Sequence, residues 1–193
     1  MAMIPNELRE RIREEATRLF AIRGFAGTHM SDVAEACQCT KPGLYYHFSS
    51  KEALFRDVVE THAGRITSLM ESTVKGEGSV RACLHAGVEG MIDYCMRAPL
   101  VMRLMQRMEL SSEDTAPVLE ACAAREAHLH MLAGLVARGI GSGELRASLH
   151  ALDGAMLIAG AIHFQLEQSI ASGQWDRARI HRTIDLVLDG IAT

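Results

Sequence analysis

Apolar residues recur three and four positions apart along most of the chain, which is the spacing that places them on one face of a helix. One such stripe runs from Leu8 to Phe20 and predicts a first helix over about 7–23, ended by Gly24. Strict alternation of apolar and polar residues, the pattern of a half-buried strand, is not found. The sequence contains only four prolines in 193 residues. These features together predict an all-α protein.

Three helices are predicted after the first, two short and one longer. Thr28 or Ser31 is expected to cap the second helix, because short hydroxyl side chains accept hydrogen bonds from the amides of a first helical turn. Thr40 is expected to cap the third, with Pro42 in its first turn, where proline is well tolerated. Ser50 is expected to cap a longer fourth helix. The predicted elements are therefore two short helices between two long ones.

The stretch from Lys75 to Ser79 holds two glycines among polar neighbours and is the clearest linker. It predicts an N-terminal domain over 1–60, with a connecting helix to about 75, and a second domain over 76–193. Further helices are predicted in the second domain over 79–97, 99–110, 117–138, 148–171 and 175–192. The helix over 117–138 is expected to end at a glycine cluster formed by Gly139, Gly141 and Gly143.

The charge of the chain does not favour nucleic-acid binding. The net charge is −4 and the isoelectric point is about 6.1. Residues 1–60 contain eight Lys and Arg against nine Asp and Glu. Any DNA binding by this segment must therefore depend on a few well-placed cations and amides rather than on bulk charge.

Residues 28–51 nevertheless fit a helix-turn-helix, in which the first short helix braces a second one that enters the major groove. Ala34 and Ala36 are small enough for a close helix contact, while Cys39 and Leu44 are the apolar residues that would hold the two helices together. The front of the second helix is expected to carry Thr40, Lys41, Tyr45, Tyr46 and His47. Standing alone, the aromatic residues of this set could equally form a plain surface cluster.

The motifs in this region are specific when taken together: Thr28, Val33-Ala34-Glu35-Ala36, Thr40 through Phe48, and Ser50 through Leu54. Over about residues 8–60 this pattern resembles the N-terminal domain of the TetR family of regulators. The resemblance implies an all-helical homodimer with two DNA-binding heads and a C-terminal domain for ligand binding and dimerisation. It further implies a protein that represses a nearby gene until a small molecule releases it from a palindromic operator.

The resemblance also implies which residues meet DNA. Those that fall where the family meets base edges and nearby phosphates are Lys41, Gly43, Tyr45 and His47, and those that fall at the DNA backbone are Thr28, Tyr46 and Lys51. A lysine can donate to guanine and a tyrosine hydroxyl can reach a phosphate, so the chemistry agrees. The chain departs from the family pattern at Gln38, where the turn usually has glycine. Positive φ at this residue would cost about 1 kcal/mol.

The last two predicted helices carry apolar stripes that the family would use to form a four-helix dimer interface. The predicted dimerisation residues are Leu152, Ala155, Ala159, Ile162, Leu166, Ile180, Ile184, Val187 and Ile191. The alternative for each of them is burial in the core of a single chain. Two-fold symmetry would place the two heads about 34–36 Å apart, the spacing of successive major grooves.

A ligand pocket is expected among the helices between 79 and 166. The candidate lining residues are Met91, Tyr94, Met102, Met105, Met108, His128 and Phe164, each of which could instead be ordinary core. With 11 methionines and 5% aromatic residues, the pocket would suit a flexible, mainly apolar effector. His85, Glu89 and Asp93 share a helix face and could form a polar end of the pocket, or simply a solvated face.

Other chemistry has little support. Cys37 and Cys39 could be half of a metal site, but two small packing residues are the simpler interpretation, and His128 and His130 point to opposite sides of a helix. No cofactor, metal or enzyme motif is predicted. Five cysteines without a secretory leader predict a cytoplasmic protein with free thiols. Two alternatives stay open: a helical dimer that binds a protein partner instead of DNA, and a Cys/His enzyme.

Overall fold

The computed structural model describes residues 5–109 and 116–193, with side chains over 7–105 and 123–193. Within these residues the chain forms nine α-helices and no strand, which confirms the predicted all-α fold. The helices are α1 (Pro5–Arg23), α2 (Met30–Ala36), α3 (Lys41–His47), α4 (Lys51–Lys75), α5 (Val80–Arg97), α6 (Pro99–Glu109), α7 (Ala116–Ser142), α8 (Ala151–Ser172) and α9 (Arg177–Ile191).

The chain divides into two compact units. The first comprises residues 1–64 and 98–121, and the second comprises residues 65–97 and 122–193. These units are not the predicted domains, because the segment after residue 98 belongs with the N-terminal helices. The division into a DNA-binding domain over 1–60 and an effector domain over 76–193 stays a prediction about function.

The core of the first unit is formed by α1 to α4, and side chains of α6 pack against it. The stripe predicted on α1 is buried, and it packs against Leu44 of α3 and Leu54 of α4. Three phenylalanines meet at its centre, with the Phe20 and Phe55 ring centroids 4.9 Å apart and the Phe25 and Phe55 centroids 5.0 Å apart. Aromatic contacts of this kind add about 0.5–1.5 kcal/mol beyond their burial. The short helices α2 and α3 therefore rest on a rigid base.

The second unit is a helical bundle whose core joins α5, α7, α8 and α9. Ile92, Leu135, Ile158 and Ile184, one from each of these helices, are almost fully buried in it. Gly154 permits a close approach here, because a Cβ atom at this position would lie 3.0 Å from side-chain atoms of both Leu149 and Val136.

The predicted end of the long central helix is wrong. Helix α7 continues through Gly139 and Gly141 to Ser142, and the left-handed residue that follows it is Gly143, with φ +82°. Gly139 serves packing instead: a Cβ atom there would lie 2.6 Å from Val80. Glycine that admits a neighbouring side chain and glycine that ends a helix look alike in sequence.

The predicted cap of α2 is also wrong. The residue before this helix is His29, rather than Thr28 or Ser31, and its backbone N–H donates to the carboxylate of Asp32 at 3.1 Å. An acidic side chain three residues into a helix satisfies an amide that the helix itself leaves unpaired. The cap therefore comes from inside the helix.

Candidate nucleic-acid interface

Helices α2 and α3 are joined by a tight turn over residues 37–40. Gln38 has φ +50°, so the positive φ expected at this non-glycine residue is present. The turn is closed by backbone hydrogen bonds, including Cys39 N–H to the Ala34 carbonyl at 3.0 Å. A side chain in the left-handed region costs about 1–2 kcal/mol, which the surrounding contacts must offset.

One of these contacts was missed by the sequence analysis. The guanidinium of Arg11, on α1, donates to the Cys37 carbonyl directly before Gln38. In return the Cys37 thiol faces the Arg11 carbonyl, with 3.7 Å between Sγ and O. This pair of contacts ties the turn to α1. Nothing in the local pattern indicates it, because the two residues are 26 positions apart.

Helix α3 has one face in the core and one face outside. Leu44 is completely buried, whereas its neighbours Tyr45 and Tyr46 are 49% and 82% exposed. Phe48, directly after the helix, is buried as well and anchors its C-terminal end. Tyr45 and Tyr46 are adjacent in sequence and both exposed, and exposed apolar patches mark interaction sites. The exposed face is therefore held in place by the buried one.

The N-terminal turn of α3 presents small and polar groups. Thr40 is the predicted cap, and its hydroxyl accepts the Gly43 N–H at 3.2 Å. Gly43 suits this arrangement, since a Cβ atom there would lie 3.2 Å from the same hydroxyl. His47, at the other end, is half-buried and meets Tyr46 edge to face, with ring centroids 5.2 Å apart.

Ion pairs neutralise several cations of the first unit. Arg9 and Arg13 both bind Asp57, at 2.7 and 2.6 Å, and Arg23 lies 3.2 Å from Asp32. Lys41 differs from these arginines: it is exposed and has no ion-pair partner among the described residues. The positive charge available on the outer face of α3 is thus concentrated at one lysine.

Lys51 and Thr28, both predicted to meet the DNA backbone, make contacts within the protein. The ammonium group of Lys51 donates to the Phe25 carbonyl at 2.9 Å and lies 4.2 Å from the centre of the Phe25 ring. Thr28 is fully buried, and its hydroxyl donates to the Gly24 carbonyl at 2.8 Å. The two residues thus fix the loop between α1 and α2, and only Lys51 retains partial exposure.

Four of the predicted ligand-binding residues lie in the second unit, in different settings. Met91 packs against the core, and Tyr94 is half-buried, which raises the pKa of its hydroxyl to about 12. His128 is half-buried, which lowers its pKa, and its Nε2 lies 2.8 Å from the Thr67 hydroxyl. Phe164 is 54% exposed on α8. The structure does not gather these four into one cavity.

The other three candidates belong to the first unit. Met105 packs against the core beneath α1 and α4, and Met102 is partly buried on the same helix. The side chain of Met108 lies outside the described residues. A half-open cavity of about 400 Å³ does occur in the second unit, between α4 and α5, and none of the six candidates with described side chains lines it. Its lining is mostly small: Leu69, Ser72, Thr73, Gly76, Glu77, Ala82, Cys83, Ala86, Gly87 and Gly90.

The predicted dimerisation stripe lies mainly inside one chain. Five of its nine residues are buried in the core of the second unit: Ala155, Leu166, Ile180, Ile184 and Ile191. These five fit the alternative interpretation, an intrachain core, and their part in a dimer stays a prediction. The other four are partly buried: Leu152, Ala159, Ile162 and Val187. The exposed large apolar residues of α8 and α9 are instead Met156, Leu157, Phe164 and Leu186.

The three polar residues of α5 that could have formed one end of the pocket belong instead to an ion-pair network. His85, Glu89 and Asp93, on one face of α5, all contact side chains of α9, and Arg177 binds both carboxylates. Within the described part of the chain, these residues contact α9 and do not line the cavity between α4 and α5.

Among the described residues, Cys37, Cys39, Cys83 and Cys95 are free thiols. Burial raises the pKa of Cys37 to about 11 and that of Cys95 to about 12, which disfavours the reactive thiolate. Among the described residues, no group of three or more His, Cys, Asp or Glu side chains could hold a metal ion. No helix in this part of the chain has the length and apolarity needed to cross a membrane.

Comparison with known proteins agrees with this geometry. Residues 12–58, which include α2, the turn and α3, match the family model of bacterial regulatory proteins, tetR family. The transcriptional activator FasR of Mycolicibacterium smegmatis is 30% identical over 89 residues, covering 46% of this chain and 41% of FasR. The negative regulator of the biofilm operon icaADBC, IcaR of Staphylococcus epidermidis, is 34% identical over 53 residues, covering 28% of this chain and 29% of IcaR. The matched segments therefore span less than half the length of these relatives.

The fold is similar over nearly the whole chain. The transcriptional regulator FadR of Bacillus subtilis, solved in complex with stearoyl-CoA, superimposes with a TM-score of 0.75 and covers 94% of this chain and 98% of its own, at 18% identity. The helix-turn-helix, the family match over residues 12–58 and the fold are all similar to those of DNA-binding transcriptional regulators. Residues 12–58 thus match the tetR family of bacterial regulatory proteins, and the whole chain is similar in fold to solved regulators of that family.

Proposed function

We propose that this protein is a ligand-responsive repressor that binds a palindromic operator as a homodimer, with α3 in the major groove. The observation that carries the proposal is the division of α3 into a buried face at Leu44 and an exposed face at Lys41, Tyr45 and Tyr46. A helix that reads base edges must be held rigidly from behind while its front stays free of intrachain contacts.

We assign Lys41 and Tyr45 to the base edges and their nearby phosphates, with Gly43, Thr40 and His47 beside them. Tyr46 is the most exposed of the set and is assigned to a phosphate. Lys51 can join it, because an ammonium group has three donors and only one is used by the Phe25 carbonyl. Thr28 is assigned an indirect role. Its buried hydroxyl fixes the loop whose Phe25 carbonyl accepts the hydrogen bond from Lys51.

The homodimer is proposed to form through α8 and α9. Four large apolar side chains of these helices are at least half exposed: Met156, Leu157 and Phe164 on α8, and Leu186 on α9. Clusters of large exposed apolar side chains on a soluble domain mark association surfaces. A two-fold axis through this surface would use the same residues on both chains and present two copies of α3 to the two halves of a palindrome.

The effector is proposed to be small and mainly apolar, and to bind in the second unit. The cavity between α4 and α5 offers room and a lining of small, mostly apolar residues. Met91, Tyr94 and His128 belong to the same unit and stay candidates for contacts with the effector. FadR of Bacillus subtilis, with a similar fold, was solved with a long-chain acyl thioester, stearoyl-CoA. Its structure supports an effector with a long apolar part.

Repression is the proposed sign of regulation. IcaR is named a negative regulator, whereas FasR is named an activator, so relatives act in both directions. A dimer that occupies its operator without effector blocks transcription if the site overlaps a promoter. In vitro transcription from the upstream region of its own gene should therefore fall on addition of the protein. In the cell, we expect the protein to act in the cytoplasm.

One observation favours a second candidate, a dimer that binds a protein partner and not DNA. The first unit is not basic, and several of its arginines are already paired with carboxylates. The two candidates differ in what the outer face of α3 does. Fluorescence anisotropy with labelled duplexes from the upstream region, and with a shuffled duplex, separates them directly.

The experiment compares wild type with Tyr45→Ala and Tyr46→Ala, and uses Met96→Ala, an exposed apolar residue on α5, as the matched control. We expect both tyrosine variants to lose at least tenfold in operator affinity and the control to retain it. Equal affinity of all four proteins for operator and shuffled duplex would contradict the proposal.

A further inference from the structure

Two histidines of the second unit face each other edge to edge. His85 on α5 and His181 on α9 are in hydrogen-bond contact through their Nδ1 atoms. Their ring centroids are 4.7 Å apart and their planes differ by 22°. With the two nitrogens in contact at this centroid distance, the rings must point at each other rather than overlap. Both side chains are about one-quarter exposed.

The opposite edge of each ring meets a carboxylate of the other helix. His85 Nε2 lies 2.9 Å from Oδ1 of Asp185, and His181 Nε2 contacts Oε1 of Glu89. The hydrogen bond from His181 is the largest cause of the lowered pKa of Glu89, and that from His85 is the largest cause of the lowered pKa of Asp185. Both carboxylates are therefore ionised at neutral pH and can only accept hydrogen bonds.

Counting protons along this chain of contacts gives a definite result. An ionised carboxylate accepts, so each Nε2 must carry a hydrogen. The contact between the two Nδ1 atoms needs one more. Three protons on two imidazole rings make one imidazole and one imidazolium, whereas a neutral pair would hold two protons and a fully charged pair four.

We propose that His85 and His181 share a single proton between their Nδ1 atoms, and that this singly charged pair is an acid-sensitive clamp between α5 and α9. A fourth proton would place two N–H groups head to head and force the rings apart. Loss of the third would leave two lone pairs facing each other. The clamp is therefore closed only in the state with three protons.

The charges around the pair suit one positive charge. On both helices they are Arg81, Glu89, Asp93, Arg97, Arg177, Asp185 and Asp189. Three guanidiniums and four carboxylates leave one negative charge in excess, which the single charge of the pair offsets. From α8, the neighbour of α9, Gln165 reaches Thr183 at 3.0 Å and adds no charge. Arg81 and Arg177 also hold the acceptor carboxylates of Asp185 and Glu89 in place.

The sign of the pH dependence follows from the proton count. Both histidines of the unfolded chain gain their charge near about pH 6.5. Below that pH the unfolded chain binds four protons and the closed clamp three, so the free energy of unfolding falls as the pH drops. Above it the clamp retains one proton that the unfolded chain has released, so the free energy of unfolding falls as the pH rises. The stability contributed by the pair is therefore greatest near that pH.

The clamp acts on a helix that matters for the proposed function. Helix α9 carries Leu186, one of the exposed apolar residues of the proposed dimer surface. If the dimer forms as proposed above, acidification that opens the clamp weakens the dimer and therefore operator binding. This consequence rests on the proposed function. The proton assignment itself depends on neither dimer nor DNA, and the experiment reads it from the protein alone.

The test is ¹⁵N NMR of the histidine ring nitrogens in the full-length protein, without DNA, from pH 5 to 8.5. At pH 7 we expect both Nε2 atoms of the pair to be protonated, the two Nδ1 atoms to share one proton, and that proton to resonate far downfield. Two neutral rings at pH 7, or two fully charged rings, would overturn the assignment. This measurement needs no variant and so does not depend on one folding.

A second readout is the free energy of unfolding over the same pH range for wild type, His85→Gln and His130→Gln. His130 is exposed on α7 and is the matched control. Between pH 7 and 5 we expect wild type and the control to lose stability in parallel, and His85→Gln to lose less. Identical slopes for all three proteins would overturn the clamp. If operator binding fails while the NMR result holds, the fault lies in the proposed function.

Discussion

The hydroxyl of Thr40 accepts the N–H of Gly43 at 3.2 Å, and this hydrogen bond closes the first turn of α3. Replacing the acceptor leaves an amide of a short helix unsatisfied. We expect Thr40→Ala to lower the free energy of unfolding by about 1 kcal/mol. Urea denaturation measures the change, and Thr40→Ser, which keeps the acceptor, should lose much less. Equal losses in both variants would show that the hydroxyl does not cap α3.

Gln38, with φ +50°, carries backbone strain in the turn before α3. We expect Gln38→Gly to raise the free energy of unfolding by about 0.5–1 kcal/mol, because relief of the left-handed penalty exceeds the entropy that glycine adds to the unfolded chain. Glu35→Gly, at an exposed helical position three residues earlier, is the control and should lower stability by about 1 kcal/mol. A loss of stability in both variants would refute the strain.

On α9 the proposed dimer surface and the core lie on different faces of the helix. Leu186 is 73% exposed, whereas Ile184, two residues earlier, is buried. We expect Leu186→Asp to give a folded monomer by light scattering at concentrations where wild type is a dimer. We expect Ile184→Ala to cost about 2–5 kcal/mol in the free energy of unfolding, through the cavity it leaves. A wild-type monomer, or a dimer unaffected by Leu186→Asp, would remove this surface from the proposal.

The carboxylates around Arg177 predict a separate loss of stability at acidic pH. The hydrogen bond from His181 is the largest cause of the lowered pKa of Glu89, and that from Arg177 is the largest cause for Asp93. A lowered folded-state pKa contributes stability that is present above the unfolded value, about 4 for these groups, and is lost as the pH falls through the folded value.

Urea denaturation between pH 3 and 5.5 measures this loss of stability. We expect Arg177→Gln to reduce the loss of stability as the pH falls through this range, because the two carboxylates then titrate closer to their ordinary pKa. The histidine clamp acts at higher pH, so the two effects are resolved in one series. An unchanged slope below pH 5 in the variant would count against the ion pairs.

Local signals were enough to predict the helices and the helix-turn-helix. The cap at Thr40 and the buried Leu44 follow from residues within one short segment, whereas the positive φ at Gln38 was implied by the family resemblance. Helix ends marked by glycine were less certain, because Gly139 admits a side chain of another helix instead of ending its own. That role depends on a neighbour about sixty residues away.

The residues now proposed for the dimer surface and for the effector cavity were harder to predict for a physical reason. Hydrophobic periodicity finds the face that is buried most completely, which on α9 is the core face of Ile184 rather than the outer face of Leu186. A cavity lined by Gly, Ala, Ser and Thr leaves no apolar stripe at all. The contact of Arg11 with the Cys37 carbonyl and the pairing of His85 with His181 require the tertiary fold.

The central claim is that α3 binds DNA through a few placed residues rather than through bulk charge. The most direct measurement is the dependence of operator affinity on salt for wild type, Lys41→Ala and Lys75→Ala, the last being an exposed lysine at the end of α4. We predict that affinity falls steeply with salt in wild type, and that Lys41→Ala weakens binding by about 1–3 kcal/mol per site, with a shallower slope if the lysine also meets a phosphate. Lys75→Ala should match wild type. Operator binding by Lys41→Ala that equals wild type at every salt concentration would contradict the account.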